Sequence, residues 1–284
     1  MARTCLLVLS SVLMIFSNYV YGQAPDLALP GDFAAFTSVG AFDNTGTTRI
    51  VGDIGTNDGA FSYTDGVLVG ESHVADPVAD QAATDLGLAY ADLSARTCGS
   101  VIPVGLGNNQ TLGPNVYCTG AASTLNGTLI LDGQGDPNAL FIFKIDGALS
   151  TGSFANVVLI NSASFENVYW QITGRFDLGE NSVFRGTVLG GGAIELAEGA
   201  AIVGRALTTA GEISLNNNEI VNSEVSLPVT LISFEVKKGE GNTARLIWST
   251  TAETNSDRFE IERSSNGKSW DRLATVRAKG ESNS

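Results

Sequence analysis

Three short triplets constrain the fold more than any other feature of the chain. Phe176-Asp177-Leu178, Ile194-Glu195-Leu196 and Ile213-Ser214-Leu215 begin 18 and then 19 residues apart, and each alternates apolar, polar, apolar. A second series runs in phase with them, Phe184-Arg185-Gly186 being followed 18 residues later by Ile202-Val203-Gly204. A three-residue strand cannot bury a core alone. Strands recurring at a near-fixed period therefore predict a coiled stack in which each turn covers its neighbours' apolar side chains. Such a stack places the middle residues of the triplets, Asp177, Glu195 and Ser214, in one column on an outer surface.

Glycine makes up 33 of 284 residues and is spread along the chain, which suits repeated tight corners better than a flexible linker. From Phe33 to about Ile220 the chain reads as short apolar runs punctuated by Gly, Asn and Asp. Arg49-Ile50-Val51, Thr128-Leu129-Ile130-Leu131, Leu140-Phe141-Ile142-Phe143, Val157-Val158-Leu159-Ile160 and Val168-Tyr169-Trp170-Gln171 are strand signals, and no regular two-residue hairpin turn joins them. In this reading Trp170 and Phe141-Ile142-Phe143 are rungs of the core.

One segment departs from the pattern. Asp76 is suited to an N-cap and Pro77 to the first helical position, and Val78, Ala82, Leu86, Ala89, Tyr90 and Leu93 recur at helical spacing, so a helix is predicted to about Arg96. Its apolar stripe needs a partner, and a flat side of the stack is the available surface. After Ser226 the composition shifts toward Lys and Arg. Strands are expected at Leu231–Val236, Ala244–Trp248, Arg258–Arg263 and Trp270–Ala278, with a turn at Ser264-Ser265-Asn266-Gly267. These resemble the first half of an immunoglobulin-like or fibronectin type III sandwich, and are expected to belong to a longer protein.

Residues 1–22 have the form of a secretory signal peptide, with Arg3, an apolar run from Leu6 to Phe16 too short to span a bilayer, and Val20-Tyr21-Gly22 ending in a small residue. Its removal takes Cys5 and leaves Cys98 and Cys118, for which one structural disulfide is expected, worth roughly 3 kcal/mol. A net charge of −14 argues against nucleic acid and anionic lipid as partners. Two cysteines and one histidine do not suit a zinc site, and the Asp/Gly turns at 53–58 and 132–136 read as solenoid corners that lack the spacing of a calcium loop. No metal or other cofactor is expected. His73, the only histidine, reads as a polar surface residue; no nucleophile elbow accompanies it, and the chain is not read as an enzyme.

Several motifs resemble the ice-binding-like family of microbial secreted proteins. They are Gly52-Asp53-Ile54-Gly55-Thr56, the helix ending Asp85-Leu86-Gly87-Leu88-Ala89-Tyr90, Leu112-Gly113-Pro114-Asn115-Val116-Tyr117, the run Leu131 to Phe143, Asn167-Val168-Tyr169-Trp170-Gln171 and Gly204-Arg205-Ala206-Leu207. The resemblance implies an irregular, discontinuous β-solenoid of roughly triangular section, with one long α-helix packed along it. The expected fold is thus mainly β, with an incomplete β-sandwich-like segment at the C-terminus. The expected divisions are a signal peptide at 1–22, a solenoid at 23–226 and a fibronectin type III-like segment at 227–284. That last segment resembles the module preceding the sorting domain of proteins exported by type IX secretion.

The resemblance further implies a secreted protein that adsorbs to ice through one flat face of small side chains, with no catalytic group. Two of the three triplet centres depart from the expected Thr, being Asp177 and Glu195. A Thr-Gly/Ala-x-Thr/Asn repeat is present once, as Thr45-Gly46-Thr47-Thr48, and begins again at Thr151-Gly152-Ser153 before Phe154 takes its last place. Glu180 and Glu198 stand where a first Thr is expected. The candidate ice-contacting residues are therefore Thr45, Thr47, Thr48, Thr119, Thr151 and Ser214, with the contact face left open. The alternative is a solenoid that binds an extracellular polysaccharide or another surface protein, its acidic column suited to cation-bridged adhesion.

Overall fold

The alternation within the triplets turns their flanking residues inward: Phe176, Leu178, Ile194, Leu196, Ile213 and Leu215 are all buried in the computed structural model, and the polar residue between each pair is not. The structure describes residues 23–222, 231–239, 241, 243–250, 252–253, 258–264, 271–277 and 282–283. The expected signal peptide and the expected division near residue 226 lie outside the described residues.

Each coil lays strands on three faces, and every strand pair in the stack is parallel. On the triplet face the spatial order is Phe61–Tyr63, Phe42–Thr45, Ile213–Asn216, Ile194–Leu196, Phe176–Leu178, Leu149–Thr151, Ser123–Asn126 and Gly105–Gly107. A second, long-strand face runs from Val67–Val69 through Arg49–Val51, Glu219–Val221 and the first halves of Ala201–Thr208 and Val183–Gly190. It continues through Asn156–Ile160 and Thr128–Asp132 to Gln110–Leu112. The third face carries Ser72–Val74, Asp53–Asp58, Phe33–Val39, the second halves of the two long strands, Val168–Ile172, Phe141–Ile145, Asn115–Thr119 and Ser100–Val101.

This order is not the chain order. The chain enters at Phe33–Val39, winds two coils in one direction, and crosses to the opposite end through the helix Pro77–Ala95. It then returns coil by coil until Ile213–Asn216 pairs with Phe42–Thr45 and Glu219–Val221 pairs with Arg49–Val51. The lengths agree: the 19-residue helix spans about 28 Å, and eight coils at ~4.8 Å put the end coils about 34 Å apart.

Helix and strand sequences explain why they meet. Asp76 accepts a hydrogen bond from the Ala79 amide at 2.8 Å and Pro77 occupies the first turn. Ala79, Ala82, Leu86, Ala89 and Leu93 form the buried stripe, packed against Phe33, Phe36, Ile142, Tyr169, Leu189 and Leu207 of the third face. Three alanines in that stripe let the helix axis approach the sheet closely. At its C-terminus the Lys144 ammonium donates to the carbonyls of Ser94 and Arg96, each at 2.7 Å, satisfying groups the helix leaves open.

Inside the triangle, side chains stack in columns along the axis. Tyr117 stacks on Phe143 at 5.3 Å between ring centroids, Phe143 on Trp170 at 3.9 Å, and Trp170 meets Phe184 at 4.7 Å. The Trp170 indole N–H donates to the Arg185 carbonyl at 3.0 Å. Trp170 and Phe143 are core rungs, as expected; Ile142, between Phe141 and Phe143, faces the helix instead. The two long strands round the corner into the third face without a break because Gly186 and Gly204 adopt φ of +111° and +139° there.

The Cys98–Cys118 disulfide is formed, with Cα atoms 5.9 Å apart, and ties the segment just after the helix to the strand Asn115–Thr119 beside the end of the stack. Beyond residue 230, Leu231–Lys238 pairs antiparallel with Ala244–Thr250 and Arg258–Arg263 with Asp271–Arg277, close to the expected spans.

Candidate functional site

With the helix covering one side, the surfaces left open are the triplet face and the long-strand face. Register assembles the outer column of the triplet face as Gly105, Thr124, Ser150, Asp177, Glu195, Ser214, Asp43 and Ser62. The expected adjacency of Asp177, Glu195 and Ser214 holds. What the sequence did not show is Arg175, whose guanidinium bridges the carboxylates of Asp177 and Glu195 across the coils. The middle of this face is therefore an exposed ionic cluster, which holds its own hydration water and stands above the strand plane.

The long-strand face is chemically different. Its outer column reads Thr128, Asn156, Val183, Ala201, Glu219, Arg49 and Val67, and a second column beside it contains Thr111, Ile130, Val158 and Arg185. Arg185 is buried at 3% exposure, its guanidinium lying along the sheet to donate to Asn156 Oδ1 at 2.9 Å. The Glu219–Arg49 pair, 2.8 Å apart, stands at one end. From Thr128 up to that pair run four coils whose outer residues are Thr, Asn, Val and Ala, with aliphatic Ile130 and Val158 alongside. The short helix Phe165–Asn167 packs against Val183–Gly190 and Ala201–Thr208, and the four outer residues Thr128, Asn156, Val183 and Ala201 remain partly exposed.

The sequence-derived contact residues do not converge on either face. Thr45 and Thr47 are exposed on the corner between the two faces, and Ser214 lies partly buried on the triplet face. Thr151 is half-buried at that corner, where its hydroxyl accepts from the Gly179 amide at 2.8 Å. Two candidates must be corrected. Thr48 is fully buried, its Oγ1 accepting from the Asn218 amide at 3.1 Å. Thr119 is 2% exposed and donates to the Ala121 carbonyl at 3.2 Å. Neither can touch a crystal surface, because each supplies the hydrogen bond that closes a solenoid corner. Thr37 and Thr56 do the same at the corner leading out of the third face, donating to the Gly211 and Gly40 carbonyls at 2.7 and 2.8 Å.

The repeat was also read out of register. Val183 and Ala201 align with Glu219 and Arg49, so the partner of these positions in the first coil is Arg49 and not Thr48. The register also brings Thr128 and Asn156, which the repeat did not include, into one column with Val183 and Ala201. In four coils a left-handed corner residue stands two positions before the outer residue, Phe154, Asn181, Gly199 and Asn217 having φ of 59°, 54°, 70° and 50°, and the Asn and Gly among them were the usable signal.

His73 is not a free surface histidine. Its side chain is 13% exposed and its Nδ1 lies 2.9 Å from Asp76 Oδ2, so it buttresses the N-cap of the helix. The Asp76 carboxyl is held below the usual carboxylate range, first by the Ala79 amide and then by His73. Asp132 Oδ1 accepts from the Gln134 amide and from Asn161 Nδ2 at 2.8 and 2.9 Å, which makes its Gly-bearing turn a self-satisfied corner. Among the described residues no group of three His, Cys, Asp or Glu side chains could hold a metal ion, and no helix is long and apolar enough to cross a membrane.

Comparison with known proteins agrees with this architecture. Residues 36–221 match the ice-binding-like family. The chain is 35% identical over 234 residues to ice-binding protein 1 of Shewanella frigidimarina, covering 70% of this chain and 26% of that protein. It is 32% identical over 227 residues to an ice-binding protein of a Nostoc species, covering 76% and 82%. The crystal structure of an ice-binding protein from an Antarctic Flavobacteriaceae bacterium superposes with a TM-score of 0.69 at 39% identity, over 73% of this chain and 50% of that one. The chain therefore spans about a quarter of the Shewanella protein and half of the Flavobacteriaceae chain. A family match over residues 36–221 places this protein in the ice-binding-like family.

Proposed function

We infer that this protein binds ice, and that it does so through the long-strand face, at the stretch bounded by Thr128 and Ala201. The observation that carries the choice of face is the contrast between the two open columns: one has Asp177 and Glu195 crossed by Arg175, the other Thr128, Asn156, Val183 and Ala201. Adsorption to a crystal requires a rigid array whose water can adopt the lattice of the solid. Parallel coils fix side chains at a repeat of about 4.8 Å along the stack. Hydroxyl, amide and small aliphatic groups hold water more weakly than a carboxylate or guanidinium does, so that water is free to join the crystal. No bond is made or broken, and the proposal requires neither an acid–base pair nor a metal.

Cation-bridged adhesion through the acidic column is not favoured, because Arg175 already occupies the two central carboxylates. The family resemblance and the signal-like leader support export from the cell. The tail is read as a fibronectin type III-like module, a reading supported by its antiparallel pairs and by the 5.6 Å edge contact between the Trp248 and Phe259 rings. The test is direct. Purified chain at micromolar concentration should facet a growing ice crystal and halt recrystallisation in a frozen sucrose film; plain discs and normal coarsening would refute the reading.

A further inference from the structure

The corner between the two open faces is turned by a left-handed residue in every coil, and one of these residues does not belong there. Asp65, Gly46, Asn217, Gly199, Asn181, Gly127 and Asn108 are the types that accept this conformation. The eighth is Phe154, at φ 59°. An aromatic side chain is strained in this region, and burial does not offset the strain, since Phe154 is 71% exposed. Its backbone is held in place by the amide donating to the Glu180 carbonyl at 2.8 Å. The fold would be better served by the Asn or Gly used in neighbouring coils. Phe154 also continues the outward alternation of the long-strand face, being followed at every second position by Asn156, Val158 and Ile160, the last 37% exposed.

We propose that Phe154 is an ice-contact residue, and that the contact surface of this chain extends from the strand rungs onto the corner at that coil. The inference rests on the ice-binding reading of the adjoining face. The ring binds no water of its own, so water beside it is ordered by cage formation and costs little to release into the crystal. Set against the rim of the array, it lengthens the contact along one coil and adds apolar area that leaves liquid water on adsorption.

The test uses the full chain and two variants, Phe154→Asn and Phe154→Leu. The Asn variant relieves the backbone and removes the ring, so it should melt roughly 2–4 °C higher than the parent. It should also require at least about threefold more protein to halt ice recrystallisation, while the Leu variant, still strained and apolar, stays within about twofold of the parent. An Asn variant as potent as the parent would overturn the proposal while leaving the ice reading intact. A parent chain without ice activity would overturn both. A parent that sediments as a dimer and an Asn variant that sediments as a monomer would show that the ring serves self-association, which also overturns the ice-contact role.

Discussion

One chemical change, a single added methyl group, should move stability in opposite directions at two glycines. At Gly204 an added Cβ would stand 2.0 Å from the Gly186 carbonyl oxygen and 2.6 Å from its carbon, where ordinary contact begins at 3.4 Å. Both partners are backbone in adjacent coils, so no side chain can swing aside and the coils would have to part by more than 1 Å. A φ of +139° adds strain for any residue with a Cβ. Strain of about 1–3 kcal/mol and the weakening of one or two ladder hydrogen bonds at about 1 kcal/mol each give a cost of roughly 2–5 kcal/mol for Gly204→Ala. At Gly87, on the open side of the helix, the added Cβ meets nothing within 4 Å. Gly87→Ala should therefore stabilise by about 0.5–1 kcal/mol through helix propensity. Thermal unfolding followed by circular dichroism reads both, with shifts of about −4 to −20 °C and +1 to +4 °C. A Gly204→Ala variant within about 1 kcal/mol of the parent would show that the coils are not in the close register described, and the stacking argument would fail with it.

Two further outcomes follow from the helix and its ends. Reducing the disulfide, or the double change Cys98→Ser with Cys118→Ser, releases a closure across 20 residues and should cost about 3 kcal/mol, seen as a melting point about 6–12 °C lower; no shift would mean that the cross-link does not constrain the unfolded chain. The Asp76 carboxyl has a depressed pKa in the folded state, so its contribution is present above the unfolded value of about 4 and is lost as pH falls through the folded value. Stability measured from pH 5 to 2 should fall less steeply in Asp76→Asn than in the parent, and equal slopes would remove the cap from the acid response.

How far the sequence reaches depends on which interaction fixes each feature. Periodicity gave the stack, the inward residues, the helix and the column Asp177–Glu195–Ser214, because each follows from alternation over a few neighbouring residues. The chain order of the coils was not visible in that pattern: that Ile213–Asn216 returns to pair with Phe42–Thr45 depends on contacts about 170 residues apart. The contact face was obscured for a related reason. Threonine serves both as a corner hydrogen-bonder and as a surface hydroxyl, and no local sequence pattern separates the two roles. Thr48 and Thr119 close corners, whereas Thr128 is partly exposed on the long-strand face. Arg175 was missed because its partners lie on two different coils.

The choice of face is tested most directly by placing one bulky residue on each open surface and measuring thermal hysteresis. Ala201→Tyr raises a ring from the middle of the long-strand face, and Thr124→Tyr does the same on the triplet face, both at positions that are not buried. Ice adsorption through the long-strand face predicts that Ala201→Tyr loses at least about tenfold of the activity, since a ring standing directly on a rung, unlike the Phe154 ring set at the corner, holds the neighbouring rungs off the crystal, while Thr124→Tyr keeps that of the parent. Loss in Thr124→Tyr with full activity in Ala201→Tyr would contradict the account and assign the ice surface to the triplet face.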